Sequence, residues 1–575
     1  MRGPSAMSLS GLEMPGAMLL ERDPAYAGRV LEAFRRGEFD YVEAMGEVSE
    51  ADFFRAVTER KILDKLAASY PSPRQKHDVP LWVYIACDLS MRFHGEHHFY
   101  AFPLLVRLGS LSEAFGPAMG HKVVHPQTGN VSLRCEGFNQ KNDYDRQTPC
   151  DQDYLRKLAR DTEAERLETW FNRDVVGIFK QHQAFDGEGI FLGDATYLFV
   201  PDNPRYESSS RLLFDEHDHP VEAKNLTPEE QKRYTWRRCY KLVSLLHTNR
   251  AGDFFLYAGL RVTEGRAHEA PVLYQLVEDF VRDHGRGVLK RLIVDRGFID
   301  GEKIGHCKRD LGIEVLIPAR TDMDIYQDVV GLAEGGLLTF QAVPAPAPSK
   351  TAAPVHRPER IRKREEARQR RLARRKAAAA RKPAAKESGV PPLRSEVAAV
   401  ADLKTFTTCP VPIHAVVNRE SGNEGHAEYW VLLDTAPIPD ALRTRQEYAL
   451  RTRIEERHRQ LKCFSDLEKF SSRAFSLVVH QVVFVLLLYS LLQWYWQRQG
   501  RSDLPRQTRP RALAQLRPTL TVILLYYQNY VARLSPLEYQ EVLLTLAEPA
   551  RRKILAKTRR LRRGLAHQLD HARSP

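Results

Sequence analysis

The spacing of apolar residues changes along this chain and divides it into regions. Up to about residue 180 apolar positions recur at helical intervals, which predicts a mainly helical N-terminal region, 1–185, with an irregular stretch at 121–155. From Gly189 onward the chain has short apolar runs rich in β-branched and aromatic residues. They predict three strands, which we place within 189–200, 239–248 and 253–263.

Strand patterns then alternate with helical ones. Residues 269–284 predict a helix, and the apolar run 289–298 predicts a fourth strand. A helical stretch at 299–312 and a strand at 313–320 complete the series. This order of elements is typical of a mixed sheet in which three antiparallel strands precede parallel ones. We therefore predict an α/β fold whose first core segment is 186–330.

Residues 331–444 differ in composition from the segments on either side. A Pro/Ala-rich stretch is followed by 357–382, where thirteen Lys or Arg stand against three Glu. Charged sequences of this kind bury too little apolar surface to fold, so we predict disorder at 343–395, with a single exposed helix as the alternative for the basic segment. This segment is either a flexible linker or an arm that contacts a polyanion. Strand patterns return at 412–421 and 426–435.

Two helical regions follow, 445–500 and a basic region at 501–575. The first ends in an apolar run, Ser476–Trp496, which is long enough to cross a membrane. This run directly continues a charged helix and includes three polar residues, His480, Gln481 and Gln493. We therefore predict a helix buried in a protein core rather than a membrane span.

Net charge and the distribution of cysteines indicate which kinds of partner and site the protein can have. The 575 residues carry a formal net charge of +13, which favours a polyanionic partner, nucleic acid first and an anionic membrane second. The seven cysteines are scattered and form no CxxC pair. This distribution argues against a zinc knuckle or a disulfide framework and suits a reducing cytosol. The first residues lack the sustained apolar segment of a secretory signal.

One charged stretch, YALRTRIEERHRQLK at 448–462, combines several side chains that can bind phosphate or metal ions. Arg451, Glu455 and Lys462 follow Tyr448 at offsets of 3, 7 and 14 residues. No glycine or proline interrupts the stretch, so we predict one helix with these four residues close to one stripe. A carboxylate flanked by a phenol, a guanidinium and an ammonium suits a phosphodiester and its metal ions. The alternative is a solvated, charge-rich helix with no role in binding.

Two aspartates upstream complete a candidate metal site. Asp194 lies inside an apolar strand, where a carboxylate is costly unless a partner or a metal satisfies it. Asp295 lies near the end of a predicted strand, the usual place for sites in parallel sheets. If these acids meet Glu455, the three carboxylates repel one another unless cations bind. Oxygen donors favour Mg²⁺ or Mn²⁺, and two such ions support in-line phosphoryl transfer.

Two other acids compete with Glu455 for the third position. Glu456 is adjacent to it, and Glu447 precedes the tyrosine. A slip of one residue moves a carboxylate by about 100° around a helix. The spacing to Tyr448, Arg451 and Lys462 favours Glu455.

These residues resemble the signature of DDE transposases of the insertion-sequence-four type. That family carries Y-(2)-R-(3)-E-(6)-K around its catalytic glutamate, and four residues match it at every position, Tyr448, Arg451, Glu455 and Lys462. Its first aspartate lies on the first strand of an RNase H-like sheet, as Asp194 would. Its second precedes a D-x-x-F/Y turn, like DRGF at 295–298. The resemblance covers roughly residues 186–330 and 410–500.

The resemblance implies both a fold and a set of site residues. The fold would be an RNase H-like mixed sheet interrupted by a β-rich insertion, with helical N-terminal and C-terminal regions. The catalytic and metal-binding residues would be Asp194, Asp295 and Glu455, holding two Mg²⁺ or Mn²⁺ ions. Trp430, the one tryptophan of the insertion, is a candidate for stacking a flipped base. Four residues would contact DNA, namely Tyr448, Arg451, Lys462 and Arg296.

The implied activity is cut-and-paste DNA transposition, with metal-dependent cleavage of transposon ends, a hairpin intermediate and strand transfer into target DNA. The partners would be double-stranded DNA, at the terminal inverted repeats and the target, and a second copy of the chain in a synaptic complex. The resemblance does not cover the N-terminal region, for which the helical pattern and the basic chain are the grounds for predicting DNA binding. The protein would act in the prokaryotic cytoplasm, associated with the nucleoid, without a membrane partner.

Three other interpretations remain open from the sequence. An RNase H-like nuclease or resolvase would carry the same acids but perform no strand transfer. A domesticated protein would bind DNA without catalysis. A membrane-surface protein would use the apolar helix at 476–496 and the basic C-terminal region.

Overall fold

The computed structural model describes residues 18–20, 27–39, 41–47, 50–77, 79–93, 97–99, 121–124, 131–134, 152–222, 226–231, 233–344, 394–421, 427–500, 520–527, 530–534 and 536–557. These residues divide into two compact units. The first unit draws its residues from Met1–Phe298, Asp310–Ile313 and Ala449–Pro575, and the second from Ile299–Arg309 and Glu314–Tyr448. Most of the segment 343–395, for which we predict disorder, lies outside the described residues.

A mixed sheet forms the centre of the first unit. Its strands, named here the first to fourth core strands in chain order, are Ile190–Val200, Thr235–Thr248, Leu256–Glu264 and Arg291–Ile293. The second core strand pairs antiparallel with both the first and the third, and the fourth pairs parallel with the first. A hairpin of Ser210–Phe214 and Pro220–Val221 extends the start of the second strand. The predicted mixed α/β class is confirmed.

The register of the parallel pair fixes the relative position of two aspartates. Arg291 lies opposite Ile190, and Ile293 lies opposite Leu192. Continuing this register by two residues brings Asp295 level with Asp194. Because side chains alternate between the two faces of a sheet, residues at the same level of neighbouring strands share a face.

Helices surround this sheet in the described part of the first unit. The helix Glu269–His284 has the predicted bounds. The glutamate helix, Arg451–Phe464, packs on the first core strand. The other helices of eight or more residues are Ala27–Arg35, Glu50–Glu59, Ile62–Ser69, Leu81–Phe93, Gln152–Asp161, Phe475–Arg498 and Pro536–Thr545. Shorter helical segments are Ala164–Thr169, Trp170–Val175 (a π-helix), Val176–Gln181, Pro228–Gln231 and the 3₁₀ turn Arg296–Phe298.

The apolar helix Phe475–Arg498 is a core helix, as predicted. It is long and apolar enough to cross a membrane, but 83% of its most apolar window is buried inside the protein. Its polar residues have partners there, since Ser490 Oγ accepts from Tyr257 N at 3.1 Å and Gln493 Oε1 accepts from Phe255 N at 3.2 Å. The prediction that it directly continues the charged helix was wrong, because residues 465–474 separate the two.

The described part of the second unit is β-rich. Its strands, in sheet order, are Gln341–Ala342, Arg394–Leu403, Ile413–Ser421, Ala427–Asp434 and Glu314–Pro318. All four pairings are antiparallel. Its helices are Gly301–His306, Asp324–Glu334 and Ala441–Tyr448, and a π-helix spans Cys307–Leu311. The predicted strands at 412–421 and 426–435 are confirmed.

Segments distant in the sequence share a small composite module, which we define as Ala27–Arg35, Tyr41–Glu47, Leu520–Tyr527, Tyr530–Leu534 and Pro536–Thr545. Leu520–Tyr527 pairs antiparallel with both Tyr41–Glu47 and Tyr530–Leu534. Its shared core includes Phe34, Leu525 and Ala532.

The prediction of helical terminal regions missed these strands and a second small sheet of Met18–Leu20, His121–Val124 and Val131–Arg134. The latter two strands also lie in the stretch predicted to be irregular. Met18–Leu20 and Tyr41–Glu47 pair with strands far along the chain, and such pairings leave little signal in the local periodicity of the sequence.

Gly193 allows the helix Glu269–His284 to approach the first core strand beside Asp194. A Cβ atom at Gly193 would lie 2.6 Å from Leu273 Cδ2 and 2.9 Å from Val294 Cγ1. Both neighbours are fully buried. The site is therefore too tightly packed for any side chain at this position.

We expect Gly193→Ala to lower the free energy of unfolding by about 1–3 kcal/mol, because the added methyl group overpacks this contact. Gly177→Ala is the matched control, since a Cβ there would meet only His284 Cε1 at 4.0 Å. Gly177 lies within a helix, so alanine should leave stability unchanged or raise it by up to about 1 kcal/mol. Equal denaturant midpoints for the two variants would contradict the packing argument.

Candidate active site

Three carboxylates from distant parts of the first unit meet at one guanidinium. Arg451 Nη2 donates to Asp194 Oδ1 at 3.3 Å and to Asp295 Oδ2 at 3.0 Å, and Nη1 donates to Glu455 Oε1. The side chains of Asp194 and Arg451 are 9% and 12% exposed, whereas those of Asp295 and Glu455 are 39% and 51% exposed. The site is thus closed at Asp194 and opens to solvent at Glu455.

The glutamate helix is held in place by its buried face. Ile454, Arg457, His458 and Leu461 follow the i, i+3, i+4, i+7 pattern and are all buried. The Arg457 guanidinium lies over the Phe255 ring, 4.5 Å from its centroid. This contact stabilises a buried cation through the ring quadrupole. Glu455 therefore projects from the exposed edge of an otherwise anchored helix.

Tyr448 does not lie on the same helix as Glu455, so the prediction of one uninterrupted helix was wrong. One helix ends at Tyr448 and the next begins at Arg451. Leu450 at the turn is buried, and Arg453 N donates to Leu450 O at 2.8 Å, a bond typical of a tight helix start.

Tyr448 belongs to the second unit, where it lies near Trp430. The two ring centroids are 6.4 Å apart. The Arg445 guanidinium lies 5.0 Å from the Trp430 ring centroid. Trp430 is half-buried and its Nε1 donates to Glu420 Oε1 at 3.3 Å. The second unit therefore carries an aromatic and cationic group that includes Tyr448, a predicted DNA contact, and Trp430, the candidate for base stacking.

The two remaining predicted DNA contacts differ in their surroundings. Lys462 Nζ donates to Tyr197 O and lies 3.1 Å from Glu468 Oε1, so it holds the glutamate helix against the first core strand. The Arg296 side chain is exposed in the turn after Asp295. Its backbone N donates to Asp295 Oδ1 at 2.5 Å. This bond orients the Asp295 carboxylate toward Arg451.

Glu456, one of the two alternative acids, has other partners in the described structure. Glu456 Oε1 accepts from Arg459 Nη2 at 2.7 Å and from Gln460 Nε2 at 2.9 Å. The hydrogen bond from Arg459 lowers the pKa of Glu456. Glu447 belongs to the second unit. Glu455 is the glutamate whose carboxylate meets Arg451.

The three carboxylates are suitable ligands for hard divalent cations, although the Arg451 guanidinium lies between them in this structure. Asp194, Asp295 and Glu455 offer only carboxylate oxygens, which Mg²⁺ and Mn²⁺ prefer over nitrogen or sulfur donors. Among the described residues, no group of three His, Cys, Asp or Glu side chains is arranged to hold a metal ion by itself. The Arg451 guanidinium supplies the positive charge that these acids require in the ion-free protein.

Two residues that the sequence analysis did not single out lie against Asp194. His458 Nδ1 is 3.6 Å from Asp194 Oδ2, and His458 Nε2 is 3.0 Å from Ser244 Oγ. Ser244 is also the cross-strand partner of Asp194. The sequence carries no signal for this contact, because Ser244 lies in an apolar strand and His458 in a charged helix, far apart along the chain.

The comparisons with known proteins agree with this geometry. A family model described as a transposase DDE domain matches residues 190–491, which is more than half of the chain. The chain belongs to the DDE transposase family. Comparison with curated proteins found no significant match. The matched range contains Asp194, Asp295 and the glutamate helix, so all three carboxylates lie within the family domain of this transposase.

Family membership determines the general activity. DDE transposases bind DNA and generally use divalent metal ions, and their domain points to an enzyme that cleaves DNA and transfers strands. The mixed α/β fold of the first unit agrees with the RNase H-like sheet of such a domain.

Arg451→Gln should lower the free energy of unfolding of this transposase by about 1–3 kcal/mol in the absence of divalent ions, since it leaves the buried Asp194 facing Asp295 without a cation. Asp194 should account for most of this effect, because solvent screens the more exposed Asp295 and Glu455. Arg453→Gln is the matched control: it is exposed on the same helix and should change stability by less than about 0.5 kcal/mol. Equal denaturant midpoints for the two variants would contradict the role of Arg451.

Proposed function

We propose that the protein is a cut-and-paste transposase of the insertion-sequence-four type, with Asp194, Asp295 and Glu455 as its catalytic, metal-binding residues. One observation carries the proposal: a single guanidinium joins three carboxylates of the DDE domain, one from a strand, one from the segment just after a neighbouring strand and one from a helix. Acids gathered this closely within a transposase domain are best explained by a cation site used for phosphoryl transfer.

The acids would hold two Mg²⁺ or Mn²⁺ ions, which supply Lewis acidity and lower the pKa of a bound water or 3′-hydroxyl. The protein supplies the position of the ligands. Asp194 is buried and fixed by the sheet, so it is the rigid member of the set. Asp295 and Glu455 are the exposed members and face the side from which DNA can approach.

Arg451 would change partners when ions and DNA bind. Its planar guanidinium matches a phosphate as well as a carboxylate, so it can leave the acids and pair with the DNA backbone near the cleaved bond. Lys462 would exchange Glu468 for a phosphate in the same way, and the exposed Arg296 can contact DNA without rearrangement. Tyr448 and Trp430 would meet DNA from the second unit, with Trp430 as the candidate to stack a flipped base.

The proposed partners follow from this reaction. Two copies of the chain would bring together the two terminal inverted repeats of the element and then the target DNA. The N-terminal region would contribute DNA binding. The proposed setting is the prokaryotic cytoplasm, at the nucleoid.

With Mg²⁺, the wild-type protein should cleave duplex DNA that carries the terminal inverted repeats flanking its gene. Asp194→Asn, Asp295→Asn and Glu455→Gln should each reduce cleavage to background, because each removes one metal-binding charge while keeping side-chain shape. The measurement is the rate of nicking of end-labelled duplex. Glu456→Gln is the matched control, since it alters the neighbouring acid on the same helix and should retain cleavage.

The same assay separates the competing functions. Pre-cut ends incubated with target plasmid should yield strand-transfer products. Cleavage without these products would indicate a nuclease or resolvase. DNA binding without metal-dependent cleavage would indicate a domesticated binding protein, and cleavage by Asp194→Asn would refute the site.

DNA affinity should fall steeply with salt. The net charge of +13 and the basic segments indicate that several phosphates are neutralised on binding, and each releases condensed counterions. A logarithmic plot of the association constant against salt concentration should therefore have a slope of roughly −0.9 for each phosphate contacted. A flat response would contradict an electrostatic role for these segments.

A further inference from the structure

A buried histidine has one nitrogen directed at the most buried acid of the site. The His458 side chain is 4% exposed, and its Nδ1 lies 3.6 Å from Asp194 Oδ2. Within the described structure this Nδ1 has no hydrogen-bond partner, although the atom itself is removed from solvent. A buried polar atom without a partner is costly, so the Asp194 carboxylate is the group that can satisfy it.

The second nitrogen determines which tautomer this contact requires. His458 Nε2 lies 3.0 Å from Ser244 Oγ. An ionised carboxylate only accepts hydrogen bonds, so Nδ1 must carry a proton to interact favourably with Asp194. In a neutral ring Nε2 is then an acceptor, and the Ser244 hydroxyl donates to it. Ser244 and His458 are thus joined by a hydrogen bond, and the protonated Nδ1 faces Asp194 Oδ2 at 3.6 Å.

The surroundings hold the imidazole ring in this orientation. The Tyr257 ring lies parallel to it, with centroids 6.3 Å apart and planes inclined by 21°. Tyr257 and Ser244 are fully buried. Ser244 lies opposite Asp194 in the antiparallel register, so the sheet itself sets the distance between the hydroxyl and the carboxylate. The ring therefore has little freedom to turn away from Asp194.

We infer that His458 is a positioning residue for Asp194, a role that rests on the proposed metal-dependent cleavage. Arg451 contacts Oδ1 of the carboxylate, and His458 faces Oδ2. With both oxygens oriented, the carboxylate presents fixed lone pairs to a divalent ion. Partners of metal ligands that act in this way typically contribute a factor of about 10–100 to metal affinity or activity.

The test compares two substitutions of His458. His458→Phe keeps the ring and its packing on Tyr257 but removes both nitrogens. His458→Asn keeps a donor near the position of Nδ1. We expect His458→Phe to weaken Mn²⁺ binding by the DNA-free protein about 10–100-fold, measured by electron paramagnetic resonance, and His458→Asn to restore part of it. The rate constant of end cleavage should fall with KM for the DNA substrate unchanged.

His247→Phe is the matched control on the second core strand. His247 is equally buried, donates from Nδ1 to Ile190 O at 3.0 Å and accepts at Nε2 from Asp186 N at 2.8 Å. It has the same tautomer as His458 but contacts no acid of the site. We expect it to lower the melting temperature without changing the Mn²⁺ affinity of the folded protein.

The outcomes distinguish this role from the proposed function. If the wild-type protein neither binds Mn²⁺ at these acids nor cleaves DNA, the proposed function fails and the role of His458 with it. If the wild type does both and His458→Phe does so equally well, the positioning role is refuted and the proposed function stands. Should His458→Phe not fold, Ser244→Ala tests the same hydrogen-bonded pair, and an unchanged Mn²⁺ affinity in that variant refutes the role.

Discussion

Repulsion between three carboxylates is the constraint on which the site depends. Sheet register brings Asp295 level with Asp194, and the glutamate helix adds Glu455, so the fold itself forces like charges together. Arg451, on the same helix as Glu455, places a cation in contact with all three acids. A guanidinium suits this task because its several donors can contact three acids at once.

Side chains of helical residues bond to the third core strand along its outer edge. Among the described residues this strand pairs with the second core strand alone, and side chains accept hydrogen bonds from its backbone amides. Ser490 Oγ accepts from Tyr257 N, Asn172 Oδ1 from Leu260 N and Glu168 Oε1 from Val262 N, at 2.7–3.1 Å. Polar side chains on three helical segments thus satisfy this edge, which explains why a helix as apolar as Phe475–Arg498 retains Ser490.

The sequence predicted the features that local pattern controls. The helix Glu269–His284 has the predicted bounds, and the cost of a carboxylate in an apolar strand identified Asp194 as a residue in need of a partner. It did not predict the break after Tyr448, because no glycine or proline marks it in the sequence. The contact of His458 with Ser244 and the strands of the composite module were missed for a similar reason, since each depends on pairing between distant segments.

The composite module has a consequence for synthesis of the protein. Tyr41–Glu47 leaves the ribosome early, but its partner strand Leu520–Tyr527 emerges only after the DDE domain has been translated. Until then the early strand keeps an unpaired edge, and the apolar residues around Phe34 lack half of their core. The composite module can therefore assemble only after the ribosome has translated the whole catalytic domain.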